Sequence, residues 1–247
     1  MKSKGFMVAC VIILVSVVSV FAMSPDEAKK QAQLIAEFLH LGRVTVAQSL
    51  KKFKINDANI GDKGFKCNWF VSEINKKFKK KTGIDIIAGK SNEKLPGNTM
   101  ELLKVLIDGS KKVCNDNQPL INTPGIGFKG FIPASYGRQL GDYFKAKTGI
   151  ILKQTTLPST LRNAYNKPDK FEITVLKDMI SGKYPKGEIV AKKIGNNMRL
   201  MRPIYIKKAC LPCHGDPKGA IDVAGRKKEG YKEGDLRGAI SVTVPVK

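Results

Sequence analysis

Ile55-Asn56-Asp57-Ala58-Asn59-Ile60-Gly61-Asp62-Lys63-Gly64-Phe65 returns 66 residues later as Ile121-Asn122-Thr123-Pro124-Gly125-Ile126-Gly127-Phe128-Lys129-Gly130-Phe131. Phe78-Lys79-Lys80-Lys81-Thr82-Gly83-Ile84 likewise returns as Phe144-Lys145-Ala146-Lys147-Thr148-Gly149-Ile150. Thirteen of the 32 positions in 55–86 match 121–152 without a gap. Self-similarity at a fixed spacing marks a duplicated structural unit. Each copy reads as a Gly-rich loop, an amphipathic helix and the start of a strand. The helices are expected to stop at Thr82-Gly83 and Thr148-Gly149, where glycine takes the left-handed conformation. A solenoid needs about three copies or more, so the two units are expected to pair, with the C-terminal part capping them.

Upstream, Ser24-Pro25-Asp26-Glu27 provides an N-cap, a proline at the first helical position and a glutamate three residues on, so a helix starts there. It runs at least to Leu41, with Leu34, Ile35, Phe38 and Leu41 on one face. Downstream of Gly149 the pattern changes to strands over 150–156, 188–194, 198–206 and 238–246. Gly195-Asn196-Asn197 forms the turn between the second and third of these. A helix over 168–180, with Phe171, Val175, Leu176 and Met179 as its stripe, lies between the first two strands. Helices first and strands later predict the α+β class, with helices packed on a small antiparallel sheet and residues 23–247 forming one region.

The third predicted strand leads into Cys210-Leu211-Pro212-Cys213-His214. In this spacing each thiol can form a thioether to one haem vinyl group, and the adjacent histidine can ligate iron. The other uses of a C-x-x-C pair are a zinc half-site and a redox dithiol. Zinc requires about four ligands, and no second Cys/His pair stands in the chain. Haem c is therefore the expected cofactor, one per chain, held by Cys210, Cys213 and His214 against a face or edge of the sheet.

Haem c attachment takes place outside the cytoplasmic membrane, and the N-terminus offers a route there. Lys2 and Lys4 precede an apolar run over 5–22 that ends in the small-residue site Val20-Phe21-Ala22. A signal peptide over 1–22 and a periplasmic or extracytoplasmic protein are expected. The alternative is an uncleaved anchor, because about 18 apolar residues is the lower limit for a spanning helix. Cys10 leaves with the signal or stays in the membrane, and Cys67 and Cys114 then remain. In an oxidising compartment they are candidates for a disulfide. The competing reading makes one of them a thiolate ligand to the iron opposite His214.

The chain carries 44 Lys and Arg against 21 Asp and Glu, a net charge of +23. This favours anionic partners such as an acidic redox protein or an anionic surface. Nucleic acid is not expected outside the cytoplasm, and the aromatic residues do not interleave with basic ones as a stacking platform requires. No Ser/His/Asp set, phosphate loop or paired-carboxylate motif rises above chance, so an enzyme is not expected. A haem enzyme such as a peroxidase is the remaining alternative, though no distal His/Arg pair is visible in the sequence.

Leu161-Arg162-Asn163-Ala164-Tyr165-Asn166-Lys167-Pro168-Asp169, Met201-Arg202-Pro203, Cys210 to Gly215, and Gly230-Tyr231-Lys232-Glu233-Gly234-Asp235-Leu236-Arg237-Gly238-Ala239-Ile240-Ser241 together resemble a family of single-haem c-type domains with a PAS-like fold, known as a domain of unknown function. The resemblance covers residues 120–247 best. Such domains occur alone or as the input domain of histidine kinases, chemoreceptors and cyclases, which implies haem-based redox or gas sensing. A sensor of this kind would act on a membrane receptor or kinase, whereas an electron carrier would exchange with a redox partner protein.

The resemblance also implies that His214 is the proximal ligand. Some members use a cysteine shortly before an Ala-Pro pair as the second ligand, and that position falls near Phe128 here. Cys67 lies in the equivalent neighbourhood of the first repeat, just after Lys63-Gly64-Phe65. Met198 and Met201, on the strand leading to the motif, are alternatives, as are His40 and an open site. Arg162 and Arg237 are candidates to pair with the haem propionates, with surface salt bridges as the other reading.

Overall fold

The computed structural model describes residues 23–246. The expected signal peptide or anchor over 1–22 lies outside the described residues. Within them, no helix is long and apolar enough to cross a membrane.

Helix α1 (Pro25–Lys52) starts at a capping box, in which the Glu27 amide donates to Ser24 Oγ and the Ser24 amide donates to the Glu27 carboxylate. It ends on Lys51 and Lys52, whose charges complement the C-terminal end of the helix dipole. Helix α2 (Cys67–Thr82) comes next, then a two-residue hairpin of β1 (Ile84–Asp85) and β2 (Lys90–Ser91). Helices α3 (Thr99–Asn122) and α4 (Pro133–Thr148) complete a helical layer. Beyond them come β3 (Ile151–Thr155), α5 (Lys170–Ile180), β4 (Val190–Ile194), β5 (Asn197–Tyr205), the one-turn α6 (Leu211–His214) and β6 (Leu236–Pro245). The architecture is α+β.

The two repeats occupy α2 and α4 with their preceding loops, and they contact each other reciprocally. The Lys63 amide donates to Asn122 Oδ1 at 3.2 Å, and the Lys129 amide donates to Asn56 Oδ1 at 3.1 Å. Asn56 and Asn122 are equivalent positions, as are Lys63 and Lys129, so each copy gives and receives the same bond, as across a two-fold axis. Both lysines are buried, and their ammonium groups donate to carbonyls of their own loops: Asp57 and Ile60 for Lys63, Thr123 for Lys129. Phe65 and Phe131, also equivalent, meet with ring centroids 5.7 Å apart. Trp69 joins this aromatic cluster edge-on to Phe53, with centroids 4.8 Å apart. Both short helices end on a left-handed glycine, Gly83 and Gly149.

Sheet order is β3-β6-β5-β4, antiparallel throughout. Helices α1 and α4 cover one face. Two close approaches fix them. A Cβ on Gly42 would lie 2.3 Å from Tyr136 Oη, so α1 touches α4 where only glycine fits. Tyr136 is fully buried, and its hydroxyl meets Ser110 Oγ at 2.8 Å, tying α4 to α3. The other sheet face is covered by α5 over a smaller core of Val175, Leu176, Val190, Met201 and Ala239. Helix α5 begins two residues later than the sequence pattern indicates, because the Asp169 side chain caps it by accepting from the Glu172 amide.

Cys67, at the start of α2, is disulfide-bonded to Cys114 in α3, 47 residues away. This corrects the thiolate-ligand reading of Cys67, since a sulfur in a disulfide has no thiolate to give a metal. Closing a loop of that length removes chain entropy from the unfolded state and stabilises by about 4 kcal/mol. Replacing both cysteines by serine is expected to lower the unfolding free energy in urea by about 3–4 kcal/mol, less any solvation difference, while the fold persists.

Candidate functional site: a cavity at the Cys-x-x-Cys-His turn

After β5 the chain leaves the sheet and runs irregularly until β6. It makes one 3-10 turn at Lys208–Cys210 and the single turn of α6. This segment has almost no ladder of its own, so its backbone is held from outside. Arg162 does this. Its Nε donates to Glu229 Oε1 at 2.6 Å and its Nη1 to Asp222 Oδ2 at 2.7 Å. Nη2 donates to Glu229 Oε2 at 2.7 Å, to the Cys213 carbonyl at 2.8 Å and to the Lys227 carbonyl at 3.0 Å. One planar guanidinium thus joins the end of the motif to the returning strand through charge-assisted bonds.

Both carboxylates are shaped by this contact. Asp222 is buried, and burial alone would raise its pKa. Amide donation from Arg226, the Arg162 bond and amide donation from Ala224 overcome that and hold it below the usual range. Glu229 behaves likewise: bonds from Arg162 and His214 and the charge of Arg237 outweigh burial and hold it low. It is therefore ionised at neutral pH. His214 Nδ1 lies 2.8 Å from Glu229 Oε2, so an ionised Glu229 fixes the proton on Nδ1 and leaves Nε2 with its lone pair. Burial lowers the pKa of His214, with the Glu229 bond opposing, and the ring is left neutral. A neutral imidazole with Nδ1 held by a carboxylate is the arrangement of a metal-ligating histidine.

His214 lines a cavity of about 340 Å3 between α1, α4, β3 and the motif segment. Phe128, Ile132, Leu161 and Ile204 supply apolar wall, and Arg43, Arg138, Arg226 and Arg237 supply positive charge. Cys210 and Cys213 are free thiols, both half-buried, and burial, then the charge of Asp222, pushes the Cys213 thiol up. The cavity is within the size range of small-molecule and cofactor sites. Of the motif, His214 lines the cavity and the two thiols stand in the same turn without lining it; an oriented imidazole, apolar walls and cations are what a haem with two propionates requires, so the cavity residues fit that group.

The remaining sequence candidates are scattered, some on the cavity wall and some far from it. Arg162 lines the cavity, but each of its three nitrogens is engaged by protein, which favours the salt-bridge reading over the propionate one. Arg237 lines the cavity, stacks over Tyr231 at 5.7 Å and makes a long 3.5 Å contact to Glu229. Met201 is fully buried in the cluster under α5, and Met198 lies in the main core, so neither lines the cavity. This corrects Met201 as an axial ligand. Phe128, near the position where some members of the resembling family carry a cysteine, lines the cavity with a phenyl ring. His40 sits one turn before Arg43 in α1 and does not line the cavity. Glu229 and Asp222 were not legible as site residues. They stand 67 and 60 residues from Arg162, with no periodicity linking them.

The fold and site define a small α+β protein with a Cys-x-x-Cys-His turn opening into a cationic, apolar-walled cavity. Residues 23–245 match the family model described as Tll0287-like, and the chain belongs to that family. Among solved structures, the crystal structure of the cyanobacterial heme-protein Tll0287 is similar at 21% identity, over 59% of this chain and 95% of that one, with a TM-score of 0.41. No curated protein matches.

The Arg162 network separates the two candidate arginines experimentally. Arg162→Ala leaves buried Asp222 without its cation and is expected to cost about 3–5 kcal/mol in urea unfolding. Arg237→Ala, losing a longer contact, is expected to cost about 1 kcal/mol or less.

A second outcome concerns pH. Burial, then the charges of Arg202, Arg43, Lys207 and Lys81, lowers the His40 pKa to about 4 from 6.5. The unfolded chain then binds the extra proton between these values, so stability is full above pH 6.5 and falls as pH drops towards 4. His40→Gln is expected to flatten that fall relative to the parent protein, as read by urea midpoints at about pH 4.5 and about pH 7.

Proposed function

We propose that this chain is an exported single-haem c-type protein whose haem is held by Cys210, Cys213 and His214, and that it works by ligand- or redox-dependent sensing. Haem binding is supported by membership of the Tll0287-like family, whose namesake is described as a heme-protein, and by the spacing of the motif. Covalent attachment by both thiols, location outside the cytoplasmic membrane and a PAS-like sensory architecture are parts of the same reading.

One observation ranks the possible jobs. Among the described residues lining the cavity, His214 is the sole histidine, and no cysteine or methionine joins it. No second strong axial ligand is therefore at hand, and an iron held by one imidazole is open to an exogenous ligand. A bound haem supplies that ligand-binding and one-electron chemistry. The chain's own residues do the rest. Glu229 holds His214 in one tautomer, Arg162 holds Glu229 and the motif carbonyl together, and Phe128, Ile132 and Leu161 give the cavity its apolar wall. The response is passed to a separate membrane receptor or kinase, and no catalytic turnover is assigned.

The alternative is an electron carrier. Exposed Lys207, Lys208, Lys218 and Lys227 around the motif favour it, since they would steer an acidic redox partner.

Absorption spectra decide between these. Protein made with the c-type maturation machinery is expected to give a covalent haem c pyridine haemochrome, and its reduced form to bind carbon monoxide readily. Absence of covalent haem removes the whole reading. A six-coordinate haem that ignores carbon monoxide transfers the assignment to the carrier.

A further inference from the structure

We propose that the cavity takes a small inorganic anion as the exogenous haem ligand, with the Arg43 guanidinium as its charge partner. The inference rests on the single-ligand reading above and extends it to the class of ligand.

Arg43 differs from the other arginines of the site. It points from α1 into the cavity, next to Gly42, the residue at which α1 is pressed against Tyr136 of α4. Its place is thus set by a helix contact and not by a loop. Arg162 is consumed by two carboxylates and two carbonyls, Arg138 is paired with Asp142 at 3.0 Å, and Arg237 has Glu229 and the Tyr231 ring. Arg226 also lacks a side-chain partner among the described residues, but it is exposed and solvated, whereas Arg43 is half-buried. Arg43 has neither a hydrogen bond nor an ion pair from its side chain to any described residue. Burial lowers its pKa to about 10, so it keeps its charge at neutral pH. A partly desolvated cation without a partner is unfavourable unless something anionic joins it.

Arg226, exposed on the cavity wall, is the cation available to a propionate. An anion on the iron would meet Arg43 in the cavity through a charge-assisted bond, stronger than a neutral one.

The test uses the full-length holoprotein, in which azide and nitrite, both anionic at neutral pH, are titrated against the ferric form by Soret absorbance. Imidazole on the ferric form and carbon monoxide on the ferrous form are the neutral comparisons. Arg43→Gln is expected to weaken azide and nitrite binding about tenfold to a hundredfold, the loss of one hydrogen bond to a charged group. Arg43→Lys should recover part of it, and imidazole and carbon monoxide should change less than about threefold. If Arg43→Gln does not mature, Arg43→Lys carries the comparison, because a point charge without the guanidinium fork should still cost several-fold. Equal azide affinity in parent and variants, with imidazole binding intact, overturns the anion inference and leaves the single-ligand reading standing. Equal weakening of anionic and neutral ligands also overturns it, since Arg43 would then be seating the haem. Failure of azide, imidazole and carbon monoxide alike to bind the parent protein removes the single-ligand reading itself.

Discussion

A guanidinium held by two carboxylates governs the site. The segment between β5 and β6 carries the Cys-x-x-Cys-His turn but has little secondary structure with which to satisfy its own backbone. Arg162 reaches it from the stretch between β3 and α5 and binds Glu229, Asp222 and two carbonyls at once. Burying three charges is favourable only when each is fully bonded, and here they are. The same carboxylate that neutralises Arg162 orients His214. The stability of the loop and the chemistry of the imidazole therefore depend on one interaction.

Beneath that site is a duplicated scaffold whose two copies lead into different structures. Up to Gly83 and Gly149 the two units are alike, down to the threonine that bonds the preceding turn and caps the next amide. After the first copy the chain makes a two-residue strand paired only with β2. After the second it makes β3, which pairs along its whole length with β6. The second copy alone builds the sheet. Asymmetry of this kind lets one repeat serve as support, locked by the Cys67–Cys114 disulfide, while the other supplies Phe128, Ile132 and Arg138 to the cavity.

Charge is distributed accordingly. The exposed surface is strongly basic, but the cations at the site are sorted by partner. Arg162 is structural and fully bonded, Arg237 is partly bonded, and Arg43 has no partner among the described residues. Desolvation makes these differences matter, because an unpaired cation on a cavity wall interacts more strongly with an incoming anion than a surface lysine can. The response proposed for the haem and the choice of its ligand both depend on this sorting.

The sequence by itself determined those features whose signal is local. The capping box at Ser24, the left-handed stops at Gly83 and Gly149, the strands on either side of Gly195, the repeat, and the Cys210-Cys213-His214 spacing all depend on residues a few positions apart, where backbone geometry dictates residue type. The tertiary structure decided what depends on distance through space. Cys67 lies against Cys114 because α2 and α3 pack together. Met201 points to the α5 face because strand side chains alternate and β5 is covered on both sides. Arg162 is consumed by Glu229 and Asp222, whereas Arg43, which no pattern singled out, faces the cavity. None of these partners is related by a helical or strand period, so only the folded chain brings them together.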